Sequence, residues 1–309
     1  MSALPLSVYN PVYIIVLNYR GAEDTISCLQ SLAGLNYPDY HLIVVDNASG
    51  DGSVEQLKQF QTNFQKSFVL IESPENTGYS GGNNLGIRHV LALPQSENAS
   101  IWLLNNDTTV DPDALTLMMA QAQQRGGLVG PLIMYPDGSY QQVGVKINWW
   151  TGGTRGYPQS ALHDGMAVDA LSGASLLLPA SVFRHVGLLD ERFFLYCEDV
   201  EFCLRAAQAN YPLSVAINAC IYHQEGASTG KISLRTQYYY KRNRLMALMP
   251  YAPPGCKITI YLYSLFRFVR SVVKSWLSPN PDRKASAHVH WLALRDYHKG
   301  VTGACPHSL

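Results

Sequence analysis

Four short apolar runs, each ending at a polar residue and each followed by a helical pattern, constrain the fold more than any other feature. Residues 12–17 (VYIIVL), 41–45 (HLIVV), 68–71 (FVLI) and 101–104 (IWLL) are near-continuous hydrophobic stretches. Strands buried on both faces have this composition. Between the first two runs, residues 22–33 place Ile26, Leu29 and Leu32 at helical spacing, and residues 53–60 and 82–93 also read as helices. The alternation predicts an α/β fold, a mostly parallel twisted sheet flanked by helices. In such sheets ligands bind beyond the carboxyl ends of the strands. Those ends carry Asn18, Tyr19 and Arg20, then Asp46 and Asn47, then the stretch from Asn76 to Asn84, then Asn105, Asn106 and Asp107.

Beyond residue 112 the pattern changes. A helix over 113–124 leads to a strand and turn in GGLVGPLIMYPDG, and residues 140–170 show no periodicity, as short irregular strands or a mobile loop would. Residues 172–179 read as a strand, 180–186 and 199–209 as helices, and 213–217 as a strand. The predicted catalytic domain spans 1–230, with a nucleotide-binding part at 11–110 and an acceptor part at 111–230. Residues 231–309 form a predicted helical extension, with prolines at 250, 253, 254, 279 and 281.

Charge excludes one class of function. The 23 basic and 23 acidic side chains balance, whereas a general nucleic-acid binder needs a basic excess. The extension after Lys231 is basic nonetheless. None of the six cysteines forms a C-x-x-C pair, as expected of reduced thiols in a cytoplasmic protein. The N-terminal residues carry no basic start with an apolar core, and no run of about 20 uncharged apolar residues exists, so neither a leader nor a membrane span is expected.

Several polar clusters carry candidate chemistry. Asp46 and Asn47 offer a carboxylate and an amide able to read a pyrimidine imide edge or a ribose hydroxyl. A Gly-rich βα turn with Ser53 as helix cap accounts for them equally. The run Asn76, Thr77, Gly78, Tyr79 to Asn83 and Asn84 reads as a glycine-rich loop whose backbone N–H groups approach an anion, or as an ordinary capped loop. Asp107 suits a hard divalent cation bridged to phosphates, and equally an Asx turn. Glu198 and Asp199 open a helix, where one carboxylate can cap and the other can deprotonate a hydroxyl. Phe193, Phe194 and Tyr196 before them wall a pocket or join the core. His223 gains meaning only if a metal sits at Asp107, where imidazole would be a second ligand.

Taken in order, LNYRG, VVDNASGDGS, ENTGYSGGNN, LLNNDT, GLLDERFFLYCEDVEFCLRA and YHQEGAST resemble the family-two inverting glycosyltransferases, within them the rhamnosyltransferase-like branch. The resemblance covers residues 11–245. It implies a glycosyltransferase-A fold, a nucleotide-diphosphate sugar donor and Mg2+ or Mn2+. It places Asp46 at the nucleotide base, Asp107 and His223 on the metal, and Asp199 as general base beside Glu198. Asp190 and Glu191, with Ser172 and Gly173, fall on the acceptor side. The stretch 239–244 (YKRNR after Tyr239) matches a family element following the catalytic domain. Asn105 stands where the family's metal motif has its first Asp, which puts direct metal contact there in doubt.

The function expected is transfer of a sugar, rhamnose by the branch resemblance, to a hydroxyl of a saccharide or lipid-linked saccharide. A UDP-hexose donor, a nucleotidyltransferase and a non-catalytic nucleotide-sugar-binding domain are the alternatives. Residues 256–277 are mostly apolar with a polar stripe near 257, 264, 267, 271 and 274. Such a helix lies in lipid headgroups at the inner face of a membrane, or packs on the catalytic domain or in a homodimer.

Overall fold

The computed structural model describes residues 10–224 and 232–309. The leader reading over residues 1–9, the Gly turn after His223 and the domain boundary at 230–231 lie outside the described residues. In chain order the elements are β1 (Val12–Asn18), α1 (Ala22–Leu32), β2 (Tyr40–Asp46), α2 (Ser53–Asn63), β3 (Phe68–Glu72), α3 (Gly78–Leu91), β4 (Ser100–Asn105), β5 (Thr108–Val110), α4 (Ala114–Arg125) and β6 (Leu128–Met134). There follow β7 (Tyr140–Gln142), β8 (Val145–Asn148), β9 (Gly153–Gly156), β10 (Ser175–Pro179), α5 (Ala180–Val186), α6 (Glu198–Gln208), β11 (Leu213–His223), α7 (Leu234–Leu248), α8 (Pro254–Trp276) and α9 (Pro281–His298).

The main sheet has the order β3-β2-β1-β4-β10-β6-β11-β5, with β7 pairing β6. Strands β3, β2, β1 and β4 are mutually parallel. Beyond β4 the sheet is mixed, because β10 runs antiparallel between β4 and β6. The aperiodic region holds β7 and a separate ribbon of β8 and β9, short strands joined by longer irregular stretches.

Both faces of the sheet are covered. Val12, Ile14 and Val16 point into one core with α1, α2 and α4 residues, while Tyr13 and Ile15 point into the other with Ile87, Val182 and Phe202. Each fully buried aliphatic side chain contributes about 1.5–3 kcal/mol of transfer free energy. Double burial is why these strands lack the polar alternation of a half-exposed sheet.

The glycine-rich segment departs from expectation. Its loop ends at Thr77: α3 begins at Gly78, four residues before the expected start at 82, so most of the glycine-rich run is helix. A Cβ at Gly82 would come 2.5 Å from Leu17 Cδ1, and one at Gly86 would come 2.7 Å from an Ile15 methyl. The glycines therefore let α3 lie close against β1. Ser53 is likewise not the cap of α2 but its first residue; Asp51 Oδ1 accepts from its N–H at 3.0 Å and its hydroxyl at 2.6 Å.

The three C-terminal helices pack together. Tyr238 of α7 donates to Asp296 of α9 at 2.7 Å, and Arg244 of α7 donates to Ser264 of α8 at 3.0 Å. Helix α8 buries Cys256, Ile260 and Ser264 and turns Ile258, Leu262, Phe266, Val269 and Val273 outward. Phe266 is 56% and Trp276 85% exposed. Among the described residues no helix is long and apolar enough to cross a membrane.

Candidate active site

Strand register gathers the polar ends. Asn18 lies opposite Asp46 and Leu17 opposite Asn105, so β1, β2 and β4 finish at one edge. Asp46 Oδ1 accepts from Asn18 Nδ2 at 2.7 Å and Ser49 Oγ at 2.6 Å. Arg20, with φ +57°, donates its N–H to Ser49 Oγ at 2.9 Å. Its guanidinium sits 5.2 Å from the ring centre of half-exposed Tyr19. Asn106 is tied back to the start of α1, donating to Thr25 Oγ1 at 3.1 Å.

Asn47 and Asn76 hold the entry to α3. Asn47 Nδ2 donates to Asn76 Oδ1 at 3.1 Å and to the Gly78 carbonyl at 2.9 Å, while its Oδ1 accepts from Thr77 N–H at 3.1 Å. Gly78 has φ +74°, and a side chain there would overlap the Phe194 carbonyl oxygen. Asn83 bonds back to the Tyr79 carbonyl at 3.0 Å. Asn84 is buried and uses both amide ends on Leu189. These asparagines spend their hydrogen bonds on the scaffold.

The short β5 explains how two distant residues meet. Thr108 of β5 pairs with His223 of β11, and Asp107 in the turn before β5 falls beside the imidazole. Asp107 Oδ1 lies 3.2 Å from His223 Nε2. His223 Nδ1 lies 3.2 Å from Gln141 Oε1, an atom that only accepts. A neutral ring with its proton on Nδ1 would turn the Nε2 lone pair toward Asp107, and an imidazolium would donate to both neighbours. A proton between Nε2 and Oδ1 accounts for this spacing, and so would a shared cation. A carboxylate oxygen beside an imidazole nitrogen is a donor pair that could hold a divalent ion. Asn105 turns its amide nitrogen to Nε2 at 3.4 Å, which steadies the ring and supplies no oxygen to that point. Among the described residues no group of three or more His, Cys, Asp or Glu is placed to hold a metal ion. A divalent ion here would take Asp107 and His223 from the protein and oxygens from phosphate or water.

Asp199, the second residue of α6, is held by backbone. Its Oδ2 accepts from Gly173 N–H at 2.9 Å and its Oδ1 from Val200 N–H at 2.8 Å. The Gly173 carbonyl in turn accepts from the Tyr79 hydroxyl at 2.5 Å. Burial raises the Asp199 carboxyl above its ordinary range, and these N–H groups oppose the rise. Glu198 is 5% exposed with an unpartnered Oε2. Burial first, and the charge of Asp199 second, push its carboxyl well up.

The turn into α6 is strained: Tyr196 and Cys197 are non-glycine residues at φ +68° and +71°, a conformation that costs about 1–3 kcal/mol each. Asn243 of α7, fully buried, donates to the Leu195 and Tyr196 carbonyls, both at 2.9 Å. The 239–244 element thus clamps the turn that delivers the acid pair.

A cleft of about 670 Å3 collects Tyr79, Asn105, Ser172, Gly173, Glu198, Asp199 and His223 in its lining. Ser172 accepts from Gln142 there at 3.2 Å. Asp190 and Glu191 are outside that lining. Asp190 pairs with Arg192 at 2.6 Å, and Glu191 with Arg88 at 2.6 Å and Asn84 at 2.9 Å. The sequence reading missed Gln141 and Asn243. A lone glutamine in an aperiodic segment gave no signal, whereas Asn243 stood inside a noted motif without an assigned task.

The comparisons with known proteins follow the same outline. The model of glycosyl transferase family 2 matches residues 12–176, and that of glycosyl transferase family group 2 matches residues 100–297. The chain is 28% identical over 243 residues to the low-salt glycan biosynthesis hexosyltransferase Agl10 of Haloferax volcanii, covering 76% of this chain and 74% of that protein. It is 28% identical over 242 residues to an N-acetylglucosaminyl-diphospho-decaprenol L-rhamnosyltransferase of Mycobacterium tuberculosis, covering 71% and 77%. The fold is similar to that of a mannosyltransferase from Pyrobaculum calidifontis solved with GDP-Man and Mn2+, at TM-score 0.59 and 14% identity, covering 94% of this chain and 88% of that one. Sheet order, strand-end chemistry and family matches agree: the chain is a glycosyltransferase of glycosyl transferase family 2, with the glycosyltransferase-A fold and a nucleotide-sugar donor.

Proposed function

We propose that the chain moves a hexose, rhamnose by preference, from a nucleoside-diphosphate donor to a hydroxyl of a lipid-linked saccharide, with inversion at the anomeric carbon. The observation that carries this is the pairing of Asp107 with His223 at 3.2 Å, where His223 lines the cleft that also presents Asp199 and Asp107 stands behind it, outside that lining. Asp199 takes the proton from the acceptor hydroxyl as that oxygen attacks the face opposite the diphosphate. Gly173 and Val200 N–H groups fix the carboxylate's orientation, and Tyr79 fixes Gly173. Asp46, Asn18 and Arg20 lie where the nucleoside would rest, beyond β1 and β2. Asp107 and His223 would hold Mg2+ or Mn2+, which when bound offsets charge on the departing diphosphate. The mycobacterial relative's name specifies a diphospho-decaprenol acceptor and L-rhamnose, and this supports the choice of sugar and carrier.

We take residues 1–230 as the catalytic domain and 231–309 as its extension. The outward apolar face of α8, with Arg270 and Lys274 on the same helix, suits the headgroup layer of an anionic membrane surface at its cytoplasmic side. The test is release of nucleoside diphosphate from dTDP-rhamnose and from UDP-hexoses, with and without Mn2+, followed by NMR of the anomeric product. Metal-dependent turnover of dTDP-rhamnose is expected. Preference for a UDP-hexose overturns the sugar assignment, a retained anomer overturns inversion, and no turnover of any donor overturns the whole reading.

A further inference from the structure

We infer that Lys241, Arg244, Arg267 and His290 form a second anion subsite in the cleft, which takes the diphosphate of a polyprenyl-linked acceptor. The inference rests on the transfer reading above and adds where the acceptor's carrier is held. Helices α7, α8 and α9 each send basic groups into the same lining as Asp199. Among the described residues none of the four pairs with a carboxylate; the ion pairs lie elsewhere. Lys241 Nζ reaches only the Gln237 side-chain oxygen, at 3.3 Å. Arg244 donates one N–H to Ser264, and its buried Nε has no partner.

The groups disturb one another. Burial first, then the charge of Arg267, brings Lys241 down to about 8 and Arg244 down to about 10. His290 is pushed to about 3 by burial and then by Lys241. Cationic groups that are partly desolvated and mutually repelling weaken a fold unless an anion completes them. Glu198 and Asp199 are the acids of the lining, and Glu198 is held neutral. Guanidinium forks and an ammonium together suit the many oxygens of a diphosphate.

Position selects the acceptor's diphosphate over the donor's. The donor's leaving group has Asp107, in the turn before β5, and His223, at the end of β11. The basic set stands on the C-terminal helices, and Arg267 adjoins Phe266 and Val269 on the outward apolar face of α8. One ligand satisfies both neighbourhoods: an anionic head joined to a long hydrocarbon chain.

The test uses the full chain without added metal and compares farnesyl diphosphate, farnesol, inorganic pyrophosphate and UDP by calorimetry. Farnesyl diphosphate should bind more tightly than pyrophosphate, and farnesol should not bind. Lys241→Gln with Arg267→Gln should weaken farnesyl diphosphate about tenfold or more while UDP affinity stays within about twofold, since two charge-assisted contacts are lost from one ligand only. Lys241→Arg should retain binding, which separates lost charge from lost folding. Parallel weakening of UDP would make this the donor's site and overturn the inference. Equal affinity for pyrophosphate and farnesyl diphosphate would make it a free-phosphate site, and no binding of farnesyl diphosphate would remove it. Donor turnover by the unmodified chain is scored separately, so the inference can fail while the transfer reading stands.

Discussion

Glu198 and Asp199 are neighbours in sequence but not in environment, so the two amide replacements should behave oppositely. Glu198 is nearly buried in the cleft wall with an unpartnered oxygen, and burial plus the Asp199 charge hold its carboxyl well above its ordinary 4.5. Asp199 is raised from 3.8 by burial, yet two backbone N–H groups favour its ionised form. Asp199 therefore ionises first, and Glu198 remains a neutral acid. Glu198→Gln exchanges one neutral group for another of nearly equal shape. Its kcat/KM should change by less than about threefold, or about 0.6 kcal/mol. Asp199→Asn removes the base and should cost a factor of about 10²–10⁴ in kcat, or about 3–5 kcal/mol of activation free energy.

The assay is nucleoside-diphosphate release across pH. The unmodified chain should lose activity as pH falls through a value above 3.8, because Asp199 must be ionised and its carboxyl is raised. Glu198→Gln should keep that acid limb, and Asp199→Asn should abolish it. Stability has the opposite sign. A carboxyl raised in the folded state gives stability that is full below its unfolded value and lost as pH rises toward the folded one. The Tm advantage of Glu198→Gln should therefore grow as pH rises above the ordinary 4.5. A hundredfold loss in Glu198→Gln, or Asp199→Asn within tenfold of the unmodified chain, would refute the ordering of the pair.

Other perturbations read other parts of the site. Asp107→Ala should weaken metal-dependent donor binding by about 10–100-fold, by analogy with the loss of metal affinity when the shell around an ion is disturbed; a donor titration unchanged in Mn2+ removes Asp107 from the site. Gly78→Ala forces a side chain onto φ +74° and into the Phe194 carbonyl, and should cost about 2–4 kcal/mol in denaturant unfolding; a loss below half a kcal/mol contradicts that packing. Asn243→Ala leaves the Leu195 and Tyr196 carbonyls unpartnered and should lower kcat more than it raises donor KM, an effect absent if the clamp is merely structural. Phe266→Glu on the outward face of α8 should reduce co-sedimentation with anionic vesicles several-fold; equal sedimentation argues that α8 does not meet lipid.

What the sequence disclosed and withheld follows from the range of each interaction. β1, β2 and β4 were legible because double burial writes itself into consecutive residues, as at Val12 to Val16, whereas β3 is apolar yet lies at the sheet edge with Val69 43% exposed, against the expectation of burial on both faces. Their polar ends were legible for the same reason, since each run stops where the sheet edge begins. Pairing between distant strands leaves no such local trace. Nothing near Asp107 announces that β5 lies antiparallel to β11, and that register alone sets its carboxylate beside His223. Glycine was ambiguous in kind: the absence of Cβ serves a phosphate-cradling loop and a close helix–strand contact equally, and at Gly82 and Gly86 the contact is with Leu17 and Ile15. The polar stripe of α8 was visible, but not which way it faces. With Ser264 buried beneath Arg244, the apolar side is left outward, the reverse of a helix that packs its hydrophobic stripe on a core. The same inversion brings Arg267 to the cleft beside Lys241 and His290. A basic tail in sequence thereby becomes, in three dimensions, a basic set whose cations are Lys241, Arg244 and Arg267, between a glycosyl-transfer cleft and an apolar surface, which is the arrangement an anionic lipid carrier would require.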